Sequence, residues 1–305
     1  MRNSSPTPTP PLPNDQWDKA KLKEIAKTVG QPLEVRSAMA FMQAGWTTHL
    51  GSYYVDHVSK IPRELDVLIQ KEKIYQPKQH HGLAVGKFHA RMRVLCSCKG
   101  FPTDLSPITY SLSGANHSDL LYQPIFTSMF RGNFNIGRLD RIAKDAANLV
   151  IKRPELQIAG QVIAFDTYKM NDPQRYEKKK DEILFGGLDS AIKACAHWHY
   201  LDVQAGDLFA TLSVPLLVTL IPALNFSIDF GTVSEAELRH CGQVTNSYPI
   251  LNEHLTLINV PITALLCDES RLPFVIAALE TIWTRFNELL EHHRPFDSVT
   301  WPIGF

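Results

Sequence analysis

The segments RELDVLIQKEKIY (63–75) and FHARMRVLCSCK (88–99) decide how this chain reads. Both carry apolar residues in runs of strand length, and the first adds the β-branched Val67, Ile69 and Ile74. Just before them, WTTHLGSYYVDHV (46–58) carries the same β-branched and aromatic signal, and a turn around 59–62 separates it from the second run. This spells a hairpin followed by a third strand, with the polar, Gly-containing stretch 76–87 as a loop or insertion between the last two. Strand side chains alternate between faces. On that rule Glu64 and Asp66 share one face while Leu65 and Val67 share the other. In the third strand Leu95, Ser97 and Lys99 share a face, and Cys96 and Cys98 point the opposite way. If the two strands pair, Asp66 and Lys99 converge at one end of the sheet. A carboxylate beside a lysine at strand ends suits metal-assisted phosphodiester hydrolysis: the carboxylate holds Mg²⁺, and the lysine positions water or offsets developing charge.

Working outward, residues 33–44 place Leu33, Val35, Ala38, Met39 and Met42 near helical spacing, and Gly45 ends the helix. Upstream, residues 1–14 are rich in Ser, Thr and Pro and read as a disordered tail, with a short amphipathic helix over 15–29. Downstream, 100–137 reads as a long irregular stretch rich in Gly, Ser, Pro and Asn. A helix is expected over 138–152, a strand over 157–168 and a helix over 180–199. The apolar run 208–220 reads as a buried strand with 224–230 as its hairpin partner. Another strand follows over 257–267, and a helix over 271–292 closes the chain. This order describes an α/β protein, a central mixed β-sheet flanked by helices. The core is expected over 30–200, with 201–305 a C-terminal α/β part packed on the same globule.

The 305 residues hold 31 Lys+Arg against 31 Asp+Glu, so bulk positive charge is not available for nucleic-acid binding and any such contact needs a local patch. Lys71, Lys73, Lys87, Arg91 and Arg93, on or beside the second and third strands, are the candidates. The 5 cysteines are scattered and odd in number, as expected of a reducing compartment. The N-terminus has no apolar stretch of the kind a secretory signal needs. The longest apolar run, 208–224, is interrupted by Pro215 and Pro222 and falls short of a bilayer span. The expectation is a cytoplasmic protein with no membrane segment.

At these same residues the chain resembles the PD-(D/E)xK, or restriction-endonuclease-like, nuclease superfamily. The resemblance rests on an acidic residue near the start of the first helix (Glu34), the Gly45-Trp46 step into the first strand, Arg63-Glu-Leu-Asp-Val67, and a third strand ending in Cys98-Lys99. It implies a restriction-endonuclease-like core, DNA as partner, and Mg²⁺ or Mn²⁺ as cofactor. It makes Asp66 the metal-binding Asp, Lys99 the catalytic Lys and Glu34 the helix Glu. Ser97 departs from the pattern, standing where the family has its second acidic ligand; Glu64, on the face of Asp66, is the substitute. The resemblance therefore implies a DNA-acting protein, either a metal-dependent nuclease or a degenerate member that no longer cleaves. The alternative is a non-catalytic module that uses the same fold to hold a protein partner.

Weaker signals fall away. Cys195, His197 and His199 do not face one another on a helix. His80-His81 and His292-His293 read as solvated, and Gly82 to Lys87 lacks the spacing of a phosphate loop. Cys96 and Cys98 read as small core residues.

Overall fold

The computed structural model describes residues 31–56, 58–76, 87–100, 105–112, 126–130, 162–169, 182–205, 208–220, 224–229, 232–235, 242–251 and 257–293. The expectations for 1–29 and for a helix over 138–152 lie outside these residues.

The described residues begin with helix α1 (Gln31–Gln43), whose Leu33, Ala38 and Phe41 are buried. Gly45 takes a φ of 78° to end it, a conformation that favours glycine, and the chain enters strand β1 (Thr47–Val55). Strand β2 (Pro62–Tyr75) returns antiparallel to β1, and β3 (Phe88–Lys99) pairs antiparallel with β2 from Val67↔Cys96 to Tyr75↔Phe88. Strands β4 (Leu105–Leu112), β5 (Phe126–Phe130) and β6 (Val162–Lys169) follow. Helix α2 (Glu182–Ala205) then leads into β7 (Leu208–Thr219), which runs parallel to β3 along its whole length. After β8 (Leu224–Asp229) and β9 (Thr232–Glu235) come β10 (Gly242–Leu251) and β11 (Leu257–Asp268), which form an antiparallel pair. A single turn, Glu269–Arg271, introduces the last helix, α3 (Leu272–His293).

Two sheets result. The larger has the order β1-β2-β3-β7-β11-β10, with β5 also pairing with β7; the smaller has the order β6-β4-β8-β9. Predominantly apolar β7 sits at the centre of the larger sheet, flanked in parallel by β3 and β11, as expected of a strand buried on both faces. One face of this sheet is covered by α1 and α3: Val67, Ile69, Val94, Cys96, Cys98, Leu216 and Val218 pack there with Phe41, Leu279 and Phe286. The other face carries α2, with Leu188 and Ile192 on Leu217, Ile262 and Ala264, and Ala194 and Cys195 beside Leu65, Leu68 and Leu95. The α/β class is thus plain: a mixed sheet between helical layers.

Three expectations are revised. The stretch 100–137 is not wholly irregular, because it contains β4 and β5. Residues 224–229 do not form a hairpin with β7; they join the second sheet between β4 and β9. Strand β10 was not anticipated at all. The C-terminal part also contributes central strands of the main sheet, so residue 200 marks no edge in the sheet.

Candidate functional site

Strict alternation fails at one point of β2, and that point is Asp66. Leu65 packs with Leu68 and Leu95 on the α2 side, whereas Val67 belongs to the opposite core. The two leucines lie three apart, a separation that regular pleating puts on opposite faces. The expectation that Leu65 and Val67 share a face is therefore corrected. The cause is visible in β1: Leu50 pairs with Val67 and Ser52 with Leu65, and Gly51 between them takes a φ of 62°. A Cβ on Gly51 would also lie 2.9 Å from Glu64 Oε1. Gly51 thus admits both the kink and the Glu64 carboxylate.

Freed from the ladder, the Asp66 side chain bonds across to β3. Its Oδ2 accepts from the Cys98 amide at 2.6 Å and the Ser97 hydroxyl at 2.9 Å, and lies 3.3 Å from Lys99 Nζ. Asp66 and Lys99 are therefore on one face and in direct contact, at the end of β3, where the sequence places them. Ser97 is 1% exposed and uses its hydroxyl as a donor to Asp66. The Asp66 and Lys99 side chains remain 17% and 30% exposed, so the pair opens to solvent.

Glu34, in the first turn of α1, approaches the same end of the sheet. Burial raises its pKa, the nearby charge of Asp66 raises it further, Lys99 opposes, and Glu64 adds to the rise. Three carboxylates thus influence one another around a single lysine. Among the described residues no group of three His, Cys, Asp or Glu side chains stands close enough to hold a metal ion. Oxygen donors of this kind suit Mg²⁺, which needs few carboxylates. All three donors to Asp66 fall on Oδ2, which leaves Oδ1 as the oxygen to offer a cation.

Cys96 and Cys98 are buried on the α1 side, with sulfurs 3.8 Å apart and the Cys98 thiol 3.7 Å from Ser37 Oγ. The hydrogen bond to Cys98, together with burial, pushes the Cys96 thiol well above its ordinary pKa, so it is a poor nucleophile. One residue that sequence reading passes over is Gly187 of α2. A Cβ there would meet Leu217 Cδ1 at 2.8 Å and Lys99 Cε and Cγ at 3.1 Å. Its signal was the Gly186-Gly187 pair inside a helical pattern.

The basic residues do not form one patch. Lys71 bonds to Glu280 (2.5 Å) and the Ala44 carbonyl (3.2 Å), and Lys73 bonds to Glu291, so both face α3. Arg91 bonds to Glu72 (2.6 Å) on the opposite face of the sheet. Arg93 is 5% exposed and holds Asp202 in a two-pronged pair at 2.5 and 2.8 Å. That guanidinium is buried and committed, so Arg93 is no phosphate contact. Lys87 is exposed just before β3.

Comparison with protein-family models, with curated proteins and with solved structures finds no match for this chain.

Proposed function

We propose that this is a DNA-acting protein of the PD-(D/E)xK, restriction-endonuclease-like kind, with Asp66, Lys99 and Glu34 at its phosphodiester site. The observation that carries the reading is the Asp66–Lys99 contact of 3.3 Å, built by a kinked β2 against the end of β3. The element order supports it in part: a helix and three antiparallel strands, then, after β4, β5 and β6, a helix leading to a strand parallel to the third. A divalent cation, Mg²⁺ or Mn²⁺, would be held by Asp66 with Glu34 or Glu64 and would supply charge to polarise the phosphate. Lys99, partly exposed and fixed by Asp66, offsets negative charge that develops on the phosphate oxygens. Glu34, whose pKa is raised by burial and by the charge of Asp66, is the carboxyl we assign to proton exchange at this site.

A specific observation favours a second reading, in which the site binds nucleic acid without cleaving it. Ser97 replaces an acidic ligand and spends its hydroxyl on Asp66. The test is cleavage of double- and single-stranded DNA with Mg²⁺ or Mn²⁺ by the native protein, Asp66→Ala, Lys99→Ala and Ser97→Glu. On the first reading the native protein cleaves, and either alanine lowers the rate by about 100-fold or more. On the second, only Ser97→Glu cleaves, with divalent-cation affinity raised about tenfold, equivalent to about 1.4 kcal/mol. DNA binding by neither the native protein nor Ser97→Glu overturns both.

A further inference from the structure

We propose that Gly187 is a positioning residue for Lys99, an inference that rests on Asp66 and Lys99 forming the site. Gly187 lies within α2, where glycine costs about 1 kcal/mol relative to alanine. No positive φ demands glycine there, so the reason must be space. A Cβ at 187 would press on Lys99 at two points of its stem, Cγ and Cε, each at 3.1 Å, and on Leu217 Cδ1 at 2.8 Å. Distances of this size require the neighbour to move. Leu217 is fully buried in the central strand and has little room. Leu217 and Lys99 must each give way, because moving one does not relieve the contact to the other; the Lys99 stem, flexible and partly exposed, shifts by a few tenths of an ångström, and its ammonium is displaced relative to Asp66. Gly187 thereby holds the lysine stem against α2 and delivers Nζ to the carboxylate. Gly186 provides an internal control, because a Cβ there meets nothing within 4 Å.

The experiment follows the Lys99 side chain itself, with no DNA or metal present. The full chain is labelled with [ε-¹³C]lysine, and the Lys99 signal is assigned by its loss in Lys99→Arg. Asp66→Asn defines the direction in which the signal moves when the partner charge is removed. Gly187→Ala is expected to move it in the same direction, and Gly186→Ala to leave it in place. The double variant Gly187→Ala/Leu217→Ala relieves the core contact but not the contacts to Lys99, and its dispersed amide spectrum is checked first because the truncated leucine leaves a cavity. In it the Lys99 signal is expected to stay displaced. A Lys99 signal unmoved in Gly187→Ala, or restored by Leu217→Ala, overturns the proposal and makes Gly187 a packing residue for β7. Because the signal is read without substrate, a native protein that fails to bind DNA overturns the proposed function while leaving this inference standing on its own result.

Discussion

Burial, and then the negative charges of Asp66 and Glu64, push the Glu34 carboxyl above its ordinary value near 4.5, although Lys99 pulls the other way. The folded protein therefore holds this proton more tightly than the unfolded chain does. As pH rises through the window above the ordinary value, the unfolded chain releases it first and stability falls. At neutral pH the ionised Glu34 costs stability, a cost typical of functional carboxylates. Glu34→Gln is accordingly expected to melt at a higher temperature than the native protein at pH 7, with the difference closing below pH ~4. Thermal unfolding at both pH values checks this; a lower melting point for Glu34→Gln at pH 7 would make Glu34 a stabilising surface residue. Asp56 behaves in the opposite sense. Burial alone would raise its pKa. Hydrogen bonds from Ser59, Tyr248 and the Val58 amide, with the charge of Lys193, outweigh that and hold the carboxyl well below its ordinary value near 3.8. Its contribution is fully present above that value and is lost as pH falls below it. Asp56→Ala should cost about 2 kcal/mol at neutral pH. In urea titrations the gap to the native protein should shrink with pH below ordinary carboxylate values. Neither behaviour is legible in the sequence, since each depends on which side chains the fold brings around one carboxyl.

Elements with unbroken apolar or alternating patterns were readable, and those without were not. Strands β2, β3, β7 and β11 and helices α1, α2 and α3 carry patterns that periodicity finds. Strand β10, GQVTNSYPIL, mixes Asn, Ser and Pro at the edge that the described residues give the sheet, where Pro249 costs little. Strand β5 is short and lies in a stretch that composition alone assigns to loop. The candidate pair Asp66–Lys99 was readable because strand pairing is a rule about spacing. The kink at Gly51 was not used, although a glycine opposite a strand carboxylate signals a break in alternation. Arg93 was grouped with the surface cations because Arg91, two positions away, shares its face of β3, whereas its partner Asp202 lies on α2. That pair ties β3 to the end of α2, with the guanidinium carbon 5.3 Å from the Trp198 ring. Removing one partner leaves a buried charge, so Arg93→Ala and Asp202→Ala should each cost about 3–5 kcal/mol. Arg93→Met/Asp202→Leu, which keeps the volume and removes both charges, should recover most of it. Denaturant unfolding of the three variants measures this, and a double variant no better than the singles would show that the pair contributes more than mutual neutralisation.

On the scale of the molecule, the long axis of β3 separates two sets of cations. Lys99 ends the strand beside Asp66, while Arg91 lies eight residues earlier, about 26 Å away at 3.3 Å per residue. Lys71 and Lys73, which pair with Met92 and Ala90, occupy the same distant end and face α3. Each already has a carboxylate partner: Glu280, Glu291 or, for Arg91, Glu72. With 31 positive and 31 negative residues over the whole chain, no background attraction compensates for cations spent in this way. DNA seated at Asp66 and Lys99 would draw little from them. On the proposed function, the triple variant Lys71→Gln/Lys73→Gln/Arg91→Gln should therefore bind DNA within about twofold of the native protein, with the salt dependence unchanged. It should also lose little stability, because partly exposed pairs contribute about 0–1 kcal/mol each. Fluorescence anisotropy with a short labelled duplex at several salt concentrations reads the slope directly. Were these residues phosphate contacts, the slope would fall by about 0.9 for each cation removed, and the DNA path would have to cross the sheet from Lys99 to Arg91.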